Sequence, residues 1–378
     1  MGKSAVIMDI GSKYTKLSVI TKDKDKMKVS KPTFVESPPD YVLRDKAYMQ
    51  RLQLKISEMK VRGKTLKVVL NRDNINVIVG SDVMQVAKGM NEKAIRAGIQ
   101  NKILTGISDK SIVEIDWSII EQDDTSITYE YAIVKKDIID TLVKIALENK
   151  LNLESIDVRL SSVINIYSMM KKKAKFAEQE DNEIYALLYI GTKNYNLVCF
   201  DNMGIIYTKA ESNDLATLDA DILMAKMGKD MAMGAGVSFN ADGSFAFNED
   251  GDTEGESEIS RKEQLAFRFD EEVVDTYTEY KRRIMNGLVL KVSRQIDKAT
   301  YKGKRVGIKN LYLIGSSAKL PHIDEYFKEN LGVDVVERVD MTELMTIDLI
   351  NAPTNCEGMP ILPEMYAISV GCGKGGKA

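Results

Sequence analysis

Two stretches of this chain repeat one hydrophobic pattern. Residues 5–20 (AVIMDIGSKYTKLSVI) and 186–200 (ALLYIGTKNYNLVCF) each run apolar and β-branched into Ile-Gly, a hydroxyl residue and a lysine, then turn apolar again. Both predict a strand, a tight glycine turn and a second strand. Further strands are expected over 29–35, 66–70, 75–80, 112–120, 128–134, 155–160, 309–315 and 333–339, where short apolar runs are bounded by polar or Gly/Pro positions. Elsewhere the period is helical. Tyr48, Leu52, Ile56 and Met59 predict a helix over 45–60, and Ile138, Leu142, Ile145 and Ala146 predict one over 136–149. Helices are also expected over 91–102, over 161–176 with Ser161 or Ser162 as its cap, over a Met-rich 215–227, over 271–301 and over 322–332.

The order of these elements implies an organisation. Strands and helices from Asn74 to about residue 150 read as a small α+β module inserted into a first domain, which resumes at residue 155. The polar run AEQEDNE over 177–183 reads as a hinge to a second half. The acidic, glycine-rich segment 240–263 reads as a solvated excursion, because Arg261 stands where a calcium loop needs a bidentate Glu.

Candidate chemistry lies in the turns. Glycine has no Cβ, so Gly11 and Gly191 let backbone N–H groups approach a ligand, and Ser12 and Thr192 add hydroxyl donors. Two such turns facing each other can grip a polyphosphate; taken singly, each also reads as an ordinary β-hairpin. Asp9 ends an otherwise apolar strand, where a buried carboxylate needs a cation, either Mg²⁺ on a bound triphosphate or, alternatively, turn amides that satisfy it. Gly315, Ser316 and Ser317 form a small-residue turn between strand and helix, on which a flat ring can lie close to the backbone. His322 is the only histidine, and its place beside Pro321 at a helix start reads as surface rather than catalytic. GCGKGGKA over 371–378 mimics a P-loop but has Ala378 where Mg²⁺ needs a hydroxyl, and is read as a flexible tail.

Length and composition narrow the classes. A chain of 378 residues is expected to form two or three domains. A net charge of −3 supplies no broad field for nucleic acid or an anionic membrane. Three widely spaced cysteines form neither a disulfide framework nor a metal site and suit a reducing cytoplasm. No apolar run approaches the roughly 20 residues of a membrane span, so no direct membrane insertion is expected.

The two phosphate turns, the helix over 161–176 and the strand-turn-helix over 311–336 resemble the phosphate 1, phosphate 2, connecting and adenosine motifs of the actin-like ATPase superfamily. The module after Asn74, the segment IVKKDIIDTLVKIALENKLNLESIDV over 133–158 and SRQIDKA over 293–299 are similar to the type IV pilus assembly family of PilM, a relative of FtsA. The resemblance implies an α/β, actin-like (ribonuclease H-like) two-domain fold with an FtsA/PilM-type inserted subdomain. It implies subdomain 1A over 1–73 and 151–180, 1C over 74–150, 2A over 181–224 and 303–378, and 2B over 225–302. It carries ATP onto Asp9, Gly11, Ser12, Lys13 and Lys16, onto Gly191, Thr192 and Lys193, and onto Gly315, Ser316 and Ser317, with Asp9 holding Mg²⁺ through water. It also implies a scaffold at the cytoplasmic face of the membrane that binds the N-terminal tail of a PilN-like bitopic protein beside the inserted module, with other pilus-assembly components as further partners. Self-association, an FtsA-like filament and a small-molecule kinase of the same fold stay open as alternatives. Three positions depart from the family pattern: Tyr189 replaces an acid, Ser316 replaces a glycine and Lys291 replaces an acid in the long helix. Losing a Mg²⁺-side carboxylate weakens phosphoryl transfer, so slow or absent hydrolysis is expected.

Overall fold

A computed structural model describes residues 4–38, 42–71, 77–87, 89–172, 183–202, 204–215, 237–239, 245–247, 282–300, 307–320, 322–348, 355–356, 359–360 and 363–374. The chain divides into two compact units, residues 1–212 with 295–378, and residues 213–294.

The first unit opens with the hairpin read from the sequence: β1 (Ser4–Ile10) runs antiparallel to β2 (Tyr14–Asp23), which pairs with β3 (Lys26–Glu36). Helix α1 (Lys46–Glu58) starts at Asp45, whose carboxylate accepts from the Tyr48 N–H at 2.7 Å, and leads to β4 (Thr65–Leu70), parallel to β1. The chain then builds the inserted module. Its strands β5 (Ile78–Gln85), β6 (Val113–Gln122) and β7 (Ser126–Lys135) form an antiparallel sheet in the order β5-β7-β6. Helix α2 (Glu92–Leu104), capped by Asn91, packs Ile95, Ile99 and Ile103 against Ile127, Tyr129 and Ile133 of β7. Helix α3 (Lys136–Glu148) and β8 (Asn152–Val158) return to the first sheet, where β8 lies parallel to β4. Helix α4 (Arg159–Met170) follows without a break.

The second hairpin is β9 (Ile184–Ile190) and β10 (Asn194–Phe200), extended by β11 (Ile205–Ser212). Among the described residues the second unit contains β12 (Val237–Phe239) paired with β13 (Phe245–Phe247), and helical residues 282–294. Back in the first unit, β14 (Ile308–Ile314) joins β9 in parallel, α5 (Ile323–Leu331) follows, and β15 (Val335–Arg338) joins β14. Strand β16 (Met345–Asp348) crosses back to pair with β3, and α6 (Ala367–Lys374) closes the described chain. The two large sheets therefore run β16-β3-β2-β1-β4-β8 and β11-β10-β9-β14-β15, each built on a hairpin joined to a parallel strand.

Both faces of the first sheet are covered, which explains its continuous apolar runs. Val6, Met8 and Ile10 of β1 join a cluster with Tyr48, Leu52 and Ile56 of α1 and Ile138, Leu142 and Ile145 of α3. Ile7, on the opposite side of the same strand, joins Val163 and Ile166 of α4 and Ile368 and Val370 of α6. Among the described residues no helix is long and apolar enough to cross a membrane.

The structure corrects several local readings. Helix α4 starts at Arg159, and neither serine caps it: Ser161 and Ser162 lie inside the first turns. Strand β5 covers Ile78–Gln85 and so runs past the expected end at Gly80, while residues 75–76 lie outside the described residues. Strands β11 and β16 were not expected, since a half-exposed polar strand and a four-residue strand carry little pattern. Residues 371–374 are not a loose tail but the end of the buried helix α6. Its Gly371 fits against α4 because a Cβ there would lie 2.1 Å from the Ser162 carbonyl oxygen. Most of the expected hinge, the Met-rich helix, most of the acidic excursion and residues 271–281 of the long helix lie outside the described residues.

Gly371→Ala should destabilise the protein by about 1–3 kcal/mol through overpacking against backbone. Gly287→Ala, in the helix over 282–300 with no atom within 4 Å of its added Cβ, should stabilise by about 0.5–1 kcal/mol. Urea unfolding of the two variants checks the contrast.

Candidate functional site

Each hairpin turn is closed by one backbone hydrogen bond at the equivalent place: the Gly11 N–H donates to the Tyr14 carbonyl at 3.1 Å, and the Gly191 N–H to the Asn194 carbonyl at 2.9 Å. A Cβ on Gly11 would meet the Tyr14 carbonyl oxygen at 2.5 Å, so only glycine allows the turn to close this tightly. The registers match as well: Asp9 lies across from Lys16 in the first hairpin, and Tyr189 across from Asn196 in the second.

A buried run of hydrogen bonds joins the two turns. Asn71, just beyond β4, donates from Nδ2 to Ser12 Oγ at 3.1 Å, and its Oδ1 accepts from Asn194 Nδ2. Asn194 Oδ1 accepts from Arg159 Nη1 at 2.9 Å, and Arg159 Nη2 donates to Asp9 Oδ1 at 3.1 Å. Lys16 Nζ completes the run at 3.2 Å from Asp9 Oδ2. The Arg159 guanidinium also lies over the Tyr189 ring, 5.3 Å from its centroid. Tyr189 in turn packs on the third turn, since a Cβ on Gly315 would sit 2.9 Å from its ring and 2.5 Å from the Ile190 carbonyl. Gly315 adopts φ +100°, a left-handed conformation that favours glycine.

Asp9 is 0% exposed, and each of its oxygens is held by a cation. Burial by itself raises its pKa; the Lys16 and Arg159 charges and their hydrogen bonds outweigh that effect and hold it below the ordinary carboxylate value. Each Asp9 oxygen already accepts from one of these buried cations, so a Mg²⁺ bound directly to Asp9 would share an oxygen with Lys16 or Arg159. Among the described residues no group of three or more His, Cys, Asp or Glu is placed to hold a metal.

The remaining sequence-derived residues take simpler places. Lys13 is half-buried with its Nζ 5.9 Å from the Tyr14 ring centroid, and Thr192 and Lys193 are half-buried in their turn. Ser316 is exposed and Ser317 half-buried at the start of a short 3₁₀ turn. His322 is on the surface, 2.9 Å from Glu325. In the second unit Lys291, where an acid was sought, pairs with Asp214 at 3.1 Å. The sequence reading missed Arg159, Asn71 and Asn194. Arg159 had a signal, because a cation at the end of an apolar strand is as costly as Asp9 without a counter-ion.

No protein-family model matches the chain, and no curated protein sequence matches it. Solved structures do. The fold is the actin-like ATPase fold, in its two-sheet form with an inserted α+β module. A structure described as the PilM–PilN type IV pilus biogenesis complex matches with a TM-score of 0.66 over 99% of this chain and 98% of that one, at 13% identity. The ethanolamine utilization protein EutJ from Carboxydothermus hydrogenoformans matches with a TM-score of 0.46 over 100% and 91% of the two chains, at 11% identity. A Bacteroides thetaiotaomicron protein with actin-like ATPase fold and unknown function matches with a TM-score of 0.44 over 89% and 91%, at 7% identity.

Asp9→Asn should cost about 3–5 kcal/mol at pH 7, since it leaves two buried cations short of a counter-ion. A lowered folded-state pKa adds stability that is complete above the unfolded value of about 4 and is lost as pH falls through the folded one. The gap between wild type and variant should therefore narrow below about pH 4. Unfolding titrations at pH 7 and pH 3 measure it, and equal stability at pH 7 would deny the ion cluster its structural role.

Proposed function

We propose that this chain is a scaffold of a type IV pilus-type assembly machine, held at the cytoplasmic face of the inner membrane by binding the N-terminal tail of a PilN-like bitopic protein. The observation that carries this reading is the likeness to the PilM–PilN complex over almost the full length of both chains. The inserted module offers a suitable place for an extended tail. Strands β5 and β6 are both sheet edges, and Ile78, Val83 and Ile119 on them are 53%, 41% and 43% exposed. An edge strand presents unpaired backbone groups to which a peptide can add as a further strand.

In the same reading, ATP lies over the paired turns. Ser12, Lys13, Thr192 and Lys193 face its phosphates, and the turn at Gly315, Ser316 and Ser317 faces its adenosine. Asp9, committed to Lys16 and Arg159, acts here as the support of the first turn and supplies no Mg²⁺ ligand. With Tyr189 in place of a second acid, the chain binds nucleotide without turning it over at an appreciable rate.

Synthetic N-terminal tails of bitopic inner-membrane proteins, titrated against the full chain, test the scaffold reading. One tail should bind, and Ile78→Glu with Ile119→Glu should weaken it about tenfold or more; a chain that takes none of the tails would sink the reading. For the nucleotide, equilibrium dialysis should give similar ATP affinity with Mg²⁺ and with EDTA, and Thr192→Val should lower it by about tenfold, the loss of one hydrogen bond to a charged group. Strict dependence on Mg²⁺ would contradict the role given to Asp9.

A further inference from the structure

Three basic segments that the proposed function leaves unused meet at one cavity. The turn between β2 and β3 brings Lys22, Lys24 and Lys26, the end of α4 brings Lys172, and the end of α6 brings Lys374. They surround a cavity of about 490 Å³ whose acidic lining, among the described residues, is Asp25 alone, and whose apolar wall is Met27 and Met169. The cavity lies at the opposite end of β2 from the Gly11 turn and includes no residue of the inserted module.

Two of the lysines are held in place without being neutralised. Lys26 Nζ donates to the Thr342 carbonyl at 2.7 Å, and Lys374 Nζ donates to Ser168 Oγ and, at 3.4 Å, to the Asn165 carbonyl. These are uncharged acceptors, so they fix the ammonium groups while leaving their field intact. Among the described residues, none of the five lysines forms an ion pair with a carboxylate. A face that merely kept these charges in water would spread them apart, since like charges repel and lysine stems are flexible. Here they converge on a concavity within the size range of small-molecule sites. Consistent with this crowding, burial and then the charge of Lys172 hold the Lys374 ammonium below its ordinary value.

We propose that this cavity is a binding site for a multivalent phosphate, with several ammonium groups sharing two or more phosphate groups and the methionine wall accepting the apolar part of the ligand. The same chemistry comes from a phospholipid headgroup or from a soluble polyphosphate. The site is independent of the partner and nucleotide readings above, because it shares no residue with either.

The test uses the full chain with two probes. Sodium tripolyphosphate is titrated calorimetrically, and vesicles of phosphatidylcholine with and without phosphatidylglycerol are assayed by flotation. We expect binding to at least one probe that falls as salt rises. It should weaken about tenfold or more in Lys22→Glu/Lys172→Glu, exposed positions outside the core, and stay unchanged in the charge-matched control Lys93→Glu/Lys110→Glu. Vesicle binding alone assigns a headgroup, and tripolyphosphate binding assigns a soluble anion. In the wild-type protein, the bound probe should also protect Lys22, Lys26, Lys172 and Lys374 from acetylation, read by mass spectrometry. Failure of both probes to bind, binding that the lysine variant retains, or absence of protection at these four lysines would each overturn the proposal.

Discussion

One guanidinium ties the two large sheets together. Arg159 stands at the first position of α4, directly after the last strand of the first sheet, and reaches Asp9 in the first hairpin and Asn194 in the second while covering Tyr189. A buried arginine is tolerated only where its donors meet acceptors, and a buried aspartate only where a cation meets it. Each of these groups is the condition for burying the other. The planar fork of arginine does this with donors in fixed directions, Nη1 toward Asn194 and Nη2 toward Asp9. That one side chain links the start of α4 to both hairpins, and Asn71 joins the same run through Ser12 and Asn194.

The two hairpins are copies in register but not in chemistry. Asp9 and Tyr189 occupy the same place relative to their turns, opposite Lys16 and Asn196 respectively. In the first hairpin the cross-strand pair is ionic; in the second an aromatic ring offers its face to the same arginine and its other side to Gly315. An acid at Tyr189 would have made a carboxylate pair around Arg159. The tyrosine converts that place into packing, which joins the second turn to the third.

The rest of the first unit carries surfaces of different character on this common frame. The inserted module presents two open sheet edges, and the far end of the first sheet gathers lysines from three segments about one cavity. Neither surface uses the glycine turns: the module is inserted between β4 and β8, and the cavity is lined by residues at the ends of β2, β3, α4 and α6.

Much of the frame was legible in the pattern of residues. The paired Ile-Gly turns, the helix begun by Asp45 and the helix faces of Ile138, Leu142 and Ile145 are local features, and local periodicity and capping decide them. The kind of fold was read from the resemblance of these motifs to the actin-like family. What the pattern left undecided was non-local. Arg159 read as one more residue at the end of a strand, because the carboxylate that permits its burial lies 150 positions away. Gly371 and Gly373 read as a loose glycine tail, because the α4 backbone and the Ile20 side chain that require their missing Cβ atoms belong to other segments. Sequence alone thus determined which turns this protein makes and which faces it buries. Only the tertiary structure decided what each charged group meets, because electrostatic partners are chosen by distance in space and not along the chain.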